Sequence, residues 1–101
     1  MLEITKPARR MIDEAWRAGR VLTLDLGWAG YPRVDDTDLT WIDARDSDAL
    51  AQLVPVSDGP GSAPVYVARD LIPLMHRGVT VTCHTLFGLW PRIALVPTLP
   101  Y

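Results

Sequence analysis

An α+β domain with largely antiparallel or mixed β-sheets is the fold class the sequence predicts, and three observations predict it. Apolar residues recur at a helical spacing between Ala8 and Trp16, the period switches to two at Val21, and most later connections are too short for helical crossovers. The chain has 101 residues, 49% of them hydrophobic and 22% charged, which is the usage of a folded chain and fits one domain over 1–101. No internal repeat interrupts it.

Ala8, Met11, Ile12, Ala15 and Trp16 share one side of a helix, while Arg9, Arg10, Asp13, Glu14 and Arg17 face away. Thr5 reads as its N-cap, Pro7 is tolerable in the first turn, and Gly19 supplies a left-handed stop after Ala18. Arg10 with Glu14, and Asp13 with Arg17, are spaced to pair across one turn. From Val21, the residues Leu22, Leu24 and Leu26 alternate with Val21, Thr23 and Asp25, as in a half-buried strand. Arg33 to Asp48 holds six aspartates around a short strand, Leu39 to Asp43, in which Leu39 and Trp41 share a face. Acidic turns on both sides are the economical reading, and the Asp35, Asp36 and Asp38 cluster lacks the spacing of a calcium loop.

Leu50 to Val56 fits either a helical turn or a strand broken by Pro55, and residues 57–62, rich in Gly and Pro, form a loop too short to link domains. Val65-Tyr66-Val67 reads as a strand. Asp70 is placed to cap one short second helix through Leu71, Ile72, Met75 and His76, with Pro73 in its first turn and Gly78 at its stop. Val79, Val81, Cys83, Thr85 and Phe87 then alternate with Thr80, Thr82, His84 and Leu86, and Arg92 to Val96 reads as a final strand.

Composition excludes several functions. Net charge is −2, and the ten basic residues, nine of them arginine, are scattered among the acids, so no nucleic-acid footprint is expected. No apolar run is long enough for a membrane span, and Met1-Leu2-Glu3 does not open like a signal sequence, so a cytoplasmic location is expected. Cys83 stands alone and excludes an intrachain disulfide. Neither histidine has a patterned catalytic partner, no G-x-S-x-G elbow occurs, and no phosphate-binding loop can be assembled around the single lysine, Lys6. A non-enzymatic role is the expectation, with no cofactor.

The order of parts carries a resemblance. Ile4, Thr5 and Ala8 open the first helix. The strand from Val21 runs into Gly27-Trp28-Ala29-Gly30-Tyr31, with glycines at both ends and an aromatic after the second. Val65-Tyr66-Val67, then Leu71 to Met75, Gly78 and Val79-Thr80-Val81 follow in turn. Across about residues 4–82 this resembles the HesB-like domain of the A-type iron–sulfur cluster carriers. The resemblance implies that scaffold and a homodimer or higher oligomer. Members of that family hold iron or a cluster with a cysteine in the glycine turn and a C-x-C pair near the C-terminus. Here Trp28 takes the first position and residues 90–101 contain no cysteine. An indole N–H has no lone pair for a metal, so Trp28 cannot substitute.

Two readings stay open. In one, Gly27, Trp28, Ala29, Gly30, Tyr31 and Pro32 form an exposed aromatic turn for a protein partner or an apolar small molecule. In that turn Trp28 either presents its ring or fills space inside the fold. The alternative is metal handling through Cys83, His84 and His76 across an oligomer interface. Against it, Cys83 and His84 are adjacent on a strand and face opposite sides, Cys83 reads as a core residue and His84 as a solvated one, and His76 suits the negative end of its helix.

Overall fold

Helix α1 spans Lys6–Arg17 in the computed structural model, which describes residues 2–27, 33–57, 61–86 and 90–97. Thr5 holds the extended cap position, Pro7 lies in the first turn, and Gly19 leaves the helix at φ 83°. The Thr5 side chain makes no cap bond; its Oγ1 is buried without a hydrogen-bond partner among the described residues. Its backbone N–H instead donates to the Val81 carbonyl at 3.0 Å, which fastens the helix entrance to a strand. Ala8 and Ile12 are buried, but Trp16 is 41% exposed. The apolar stripe that docks is therefore narrower than the spacing suggests, and Trp16 lies on its rim beside Asp13 and Arg17. Asp13 pairs back to Arg9 at 3.5 Å and accepts the Ala63 N–H at 3.4 Å, which turns it away from the expected Arg17 partner.

The strands form two sheets. The first orders β1 (Leu2–Ile4), β6 (Val79–Leu86) and β7 (Trp90–Pro97) as β1-β6-β7. The second orders β2 (Arg20–Leu26), β3 (Thr37–Asp43), β4 (Leu53–Val56) and β5 (Val65–Ala68) as β3-β2-β5-β4. Pairs β2/β3, β4/β5 and β6/β7 are antiparallel, whereas β1/β6 and β2/β5 are parallel. Short connections exclude parallel pairing only between consecutive strands. The return from β2 to β5 passes through β3 and β4 and needs no helical crossover.

Local chemistry sets the shorter elements. Asp46 accepts the Ala49 N–H at 3.1 Å and caps a one-turn helix, α2 (Ser47–Leu50), which the sequence reading lacks. Leu53 to Val56 resolves as a strand, and Pro55 is tolerated because β4 is a sheet edge. Asp70 does not cap the next helix: it falls inside a 3-10 turn, Arg69–Leu71, and α3 (Ile72–Arg77) follows with Pro73 in its first turn. Gly78, at φ 102°, ends it where a side chain would be strained. β3 and β7 are both longer than their patterns indicate.

α1 packs on β2 and β6, and α3 packs on β6. One core cluster joins Ala8 and Ile12 to Leu22, Leu24, Val65, Val67, Leu71, Met75, Val79 and Val81. β2 is buried on both faces from Val21 to Leu24, where alternation predicts a half-buried strand. The polar member of that run is satisfied: Thr23 Oγ1 donates to the Thr40 carbonyl at 3.1 Å and lies 2.9 Å from the Thr40 hydroxyl. No helix among the described residues is long and apolar enough to cross a membrane.

Gly27 closes the end of β2, its N–H donating to the Asp36 carbonyl at 2.5 Å. A Cβ at Gly27 would collide with that same oxygen, whereas one at Gly19 would meet open space. Gly27→Ala is expected to cost about 1–3 kcal/mol through forced displacement, against about 1 kcal/mol for Gly19→Ala from its backbone conformation alone. Urea denaturation of the two variants measures the difference, and a Gly27→Ala midpoint equal to wild type would contradict this packing.

Candidate functional site

β3 and β7 belong to different sheets, yet they run beside one another, and the space between them is only partly filled. Leu39 and Trp41 alternate on β3 so that both face inward, registered against Leu24 and Leu22 of β2. Across the seam stands Ile93 of β7, registered with Cys83 of β6. Met11 of α1 lies between them, and the Cys83 thiol approaches its sulfur, Sγ to Sδ 3.3 Å. The result is a cavity of about 270 Å³ lined by Met11, Leu22, Leu39, Trp41, Arg92 and Ile93. A second, more open cleft of about 360 Å³ adjoins it, sharing Met11 and Trp41 and adding Glu14, Ala15 and Arg20.

Five of the six residues lining the inner cavity are apolar and one is Arg92, although the accessible lining is more polar than apolar, and the volume lies just below the usual range of small-molecule sites. Met11 makes the site adaptable, because an unbranched thioether side chain repacks at low cost. Another hollow, of about 310 Å³, lies at the ends of the parallel pair β2/β5 and is lined by Asp25, Arg69 and Asp70 among others. Asp25 there accepts the Leu26 N–H at 2.8 Å, a bond that ends its own strand. The seam cavity is the better candidate, since it is more enclosed than the other two hollows and Met11, Trp41 and Ile93 converge on it from three different elements.

Of the glycine turn proposed from sequence, Gly27 is anchored as described above, and Trp28, Ala29, Gly30, Tyr31 and Pro32 lie outside the described residues. The far side of that stretch is held too: the Arg33 carbonyl accepts from Asp36 N–H at 3.1 Å and from the Thr37 hydroxyl at 2.7 Å. Cys83, His84 and His76 are not brought together. Cys83 is half-buried against Met11, His84 is exposed, and His76 is exposed in the last turn of α3. Among the described residues no group of three or more His, Cys, Asp or Glu is placed to share a metal ion.

Sequence reasoning missed the cavity. Its parts carried signals, in the inward Leu39 and Trp41 and in Met11 on the apolar helix face, but nothing in the linear pattern brings β7 beside β3. Compared with protein-family models, with curated proteins and with solved structures, the chain finds no match in any of the three.

The acidic segment after β3 is a turn device. Asp43 Oδ1 accepts the Arg45 backbone N–H at 2.8 Å, and this bond, with the weaker approach of the Arg45 side chain at 3.5 Å, outweighs desolvation and lowers the Asp43 pKa below its ordinary 3.8. A depressed carboxylate contributes stability that is present above the unfolded-state pKa and is lost as pH falls through the folded-state value. NMR titration is expected to place the Asp43 midpoint below 3.8, and Arg45→Ala is expected to preserve most of the depression because the backbone donor survives. A midpoint at or above that value in wild type would contradict the turn geometry.

Proposed function

We propose that this chain is a non-enzymatic binding module for a small apolar ligand, built on a scaffold resembling the A-type iron–sulfur carriers from which the cluster site has been lost. The observation that carries the reading is the seam cavity between β3 and β7, walled by Met11, Leu39, Trp41 and Ile93 over the buried Leu22. Supporting the scaffold resemblance, the elements occur in the required order: α1 begins after Thr5, β2 runs into Gly27, the valine strand β5 follows, and α3 stops at Gly78 before β6. Trp28 stands where the carriers place a ligating thiolate, so the inherited metal chemistry is absent from this reading. The module acts in the cytoplasm as a homodimer, which follows from the resemblance and from the composition.

The glycine turn belongs to the same reading as a second contact. Gly27 and Arg33 fix both ends of the segment that holds Trp28 and Tyr31, at the Leu26 end of β2. Metal handling through Cys83 is the weaker alternative. In one chain its thiol is engaged with Met11, and His84 lies on the opposite side of β6.

Calorimetric titration with indole, a neutral apolar probe, tests the assignment. Saturable binding of one equivalent is expected, with Kd on the order of 0.1–1 mM for a ligand of this size. Ile93→Trp, which places a ring in the cavity, is expected to abolish binding while circular dichroism shows a folded protein. Absence of saturable binding in wild type, or full binding in Ile93→Trp, would contradict the reading.

A further inference from the structure

The seam cavity and the cleft beside it form one hollow with two unlike ends. Met11 and Trp41 line both, and the inner end, whose further walls include Leu39 and Ile93, is the more enclosed. The outer end carries Glu14 and Arg20, one charge of each sign. Local geometry turns both towards that mouth. On α1, Glu14 stands three residues after Met11 and next to Ala15, on the flank that lines the cleft. On β2, Arg20 alternates with Val21 and so shares the face of Leu22, and the β2/β3 register puts Trp41 on that face too. Both charged residues are exposed, and neither has an ion-pair partner among the described residues. Asp43 is registered with Arg20, but its carboxylate is turned to the Arg45 N–H. Glu14 and Arg20 do not pair with each other either, so two opposite charges stand apart around one opening.

Resting on the binding-module reading above, we propose that the hollow takes a zwitterionic α-amino acid with an aromatic or branched apolar side chain. The side chain enters between Met11 and Trp41, where a flexible thioether and an indole give dispersion and ring contacts. At the mouth the α-carboxylate meets the guanidinium of Arg20, a planar fork of donors that matches two oxygens at once, and the α-ammonium meets Glu14. A ligand with both charges on one carbon and a single apolar group suits a mouth of both signs and an apolar interior together. A simple acid or amine leaves one mouth charge unmatched, and a polar amino acid leaves the interior unfilled. The inner volume of about 270 Å³ limits the side chain to one ring system or a short branched chain.

Four probes with one ring separate the two charges from the apolar group: L-phenylalanine, its N-acetyl derivative, its amide, and the uncharged N-acetyl amide, titrated by calorimetry into the full chain at low and high salt. Phenylalanine is expected to bind tightest, losing about threefold to fivefold with each charge removed, and its advantage shrinks as salt screens it. Glu14→Gln is expected to bring phenylalanine down to its N-acetyl derivative while leaving that derivative unaffected. Arg20→Gln is expected to bring phenylalanine down to its amide while leaving the amide unaffected, and both variants keep the wild-type melting temperature. Equal binding of phenylalanine and the uncharged derivative, with indole still bound, would overturn this inference and leave the apolar site standing. Failure of both phenylalanine and indole to bind would overturn both readings. A phenylalanine preference that survives Glu14→Gln and Arg20→Gln would overturn the assignment to this mouth.

Discussion

Double-sided burial of β2 is the constraint on which the rest of the structure depends. Leu22 and Leu24 point into the core shared with Ala8 and Ile12 of α1, while Val21 and Thr23 are covered on the opposite face. Burying side chains of this size is worth about 1.5–3 kcal/mol each, so this one strand supplies a large share of the driving force available to a chain of this length. Its neighbours follow from it. β3 pairs antiparallel along its whole length, and β5 pairs parallel at Leu22 to Leu24, with Val65 and Val67 as the partners. The one polar group on the buried run, the Thr23 hydroxyl, is met by Thr40, so burial leaves nothing unsatisfied there.

A consequence of building around β2 is that the two sheets meet at only part of their length. α1 spans from β2 to β6 and is tied to the latter by the Thr5 to Val81 bond. On the far side β3 and β7 are outer strands of separate sheets, and the seam between them is filled only by side chains. Leu39, Trp41, Ile93 and Met11 do not fill it completely. That cavity is the feature on which the proposed binding role rests, with Met11 as its adaptable wall. The Cys83 to Met11 contact belongs to this wall, which gives the lone thiol a packing role next to the site.

Much of the fold was legible because the patterns were local. The helical period from Ala8 to Ile12, the stops at Gly19 and Gly78, and the alternation through Val79 and Val81 each depend on nearest neighbours, and each stands in the structure. Trp16 departs from its predicted place because spacing defines a face and not how far the docking surface extends across it. The parallel pairs and the burial of both sides of β2 were out of reach because they are set by strands distant in sequence. Asp70 shows a different limit: its position suited a cap, but Arg69–Leu71 wound into a 3-10 turn and moved the helix start past it. The seam cavity is invisible for the same nonlocal reason, although alternation alone gives Leu39 and Trp41 a common face.

Native-state hydrogen exchange tests the central claim most directly. If β2 is the strand around which the domain is built, the amides of Val21 to Leu24 exchange only through global unfolding and show the highest protection in the chain, with β4 and the outer part of β7 opening at lower free energy. Exchange of those four amides at the rate of the sheet edges would contradict the account.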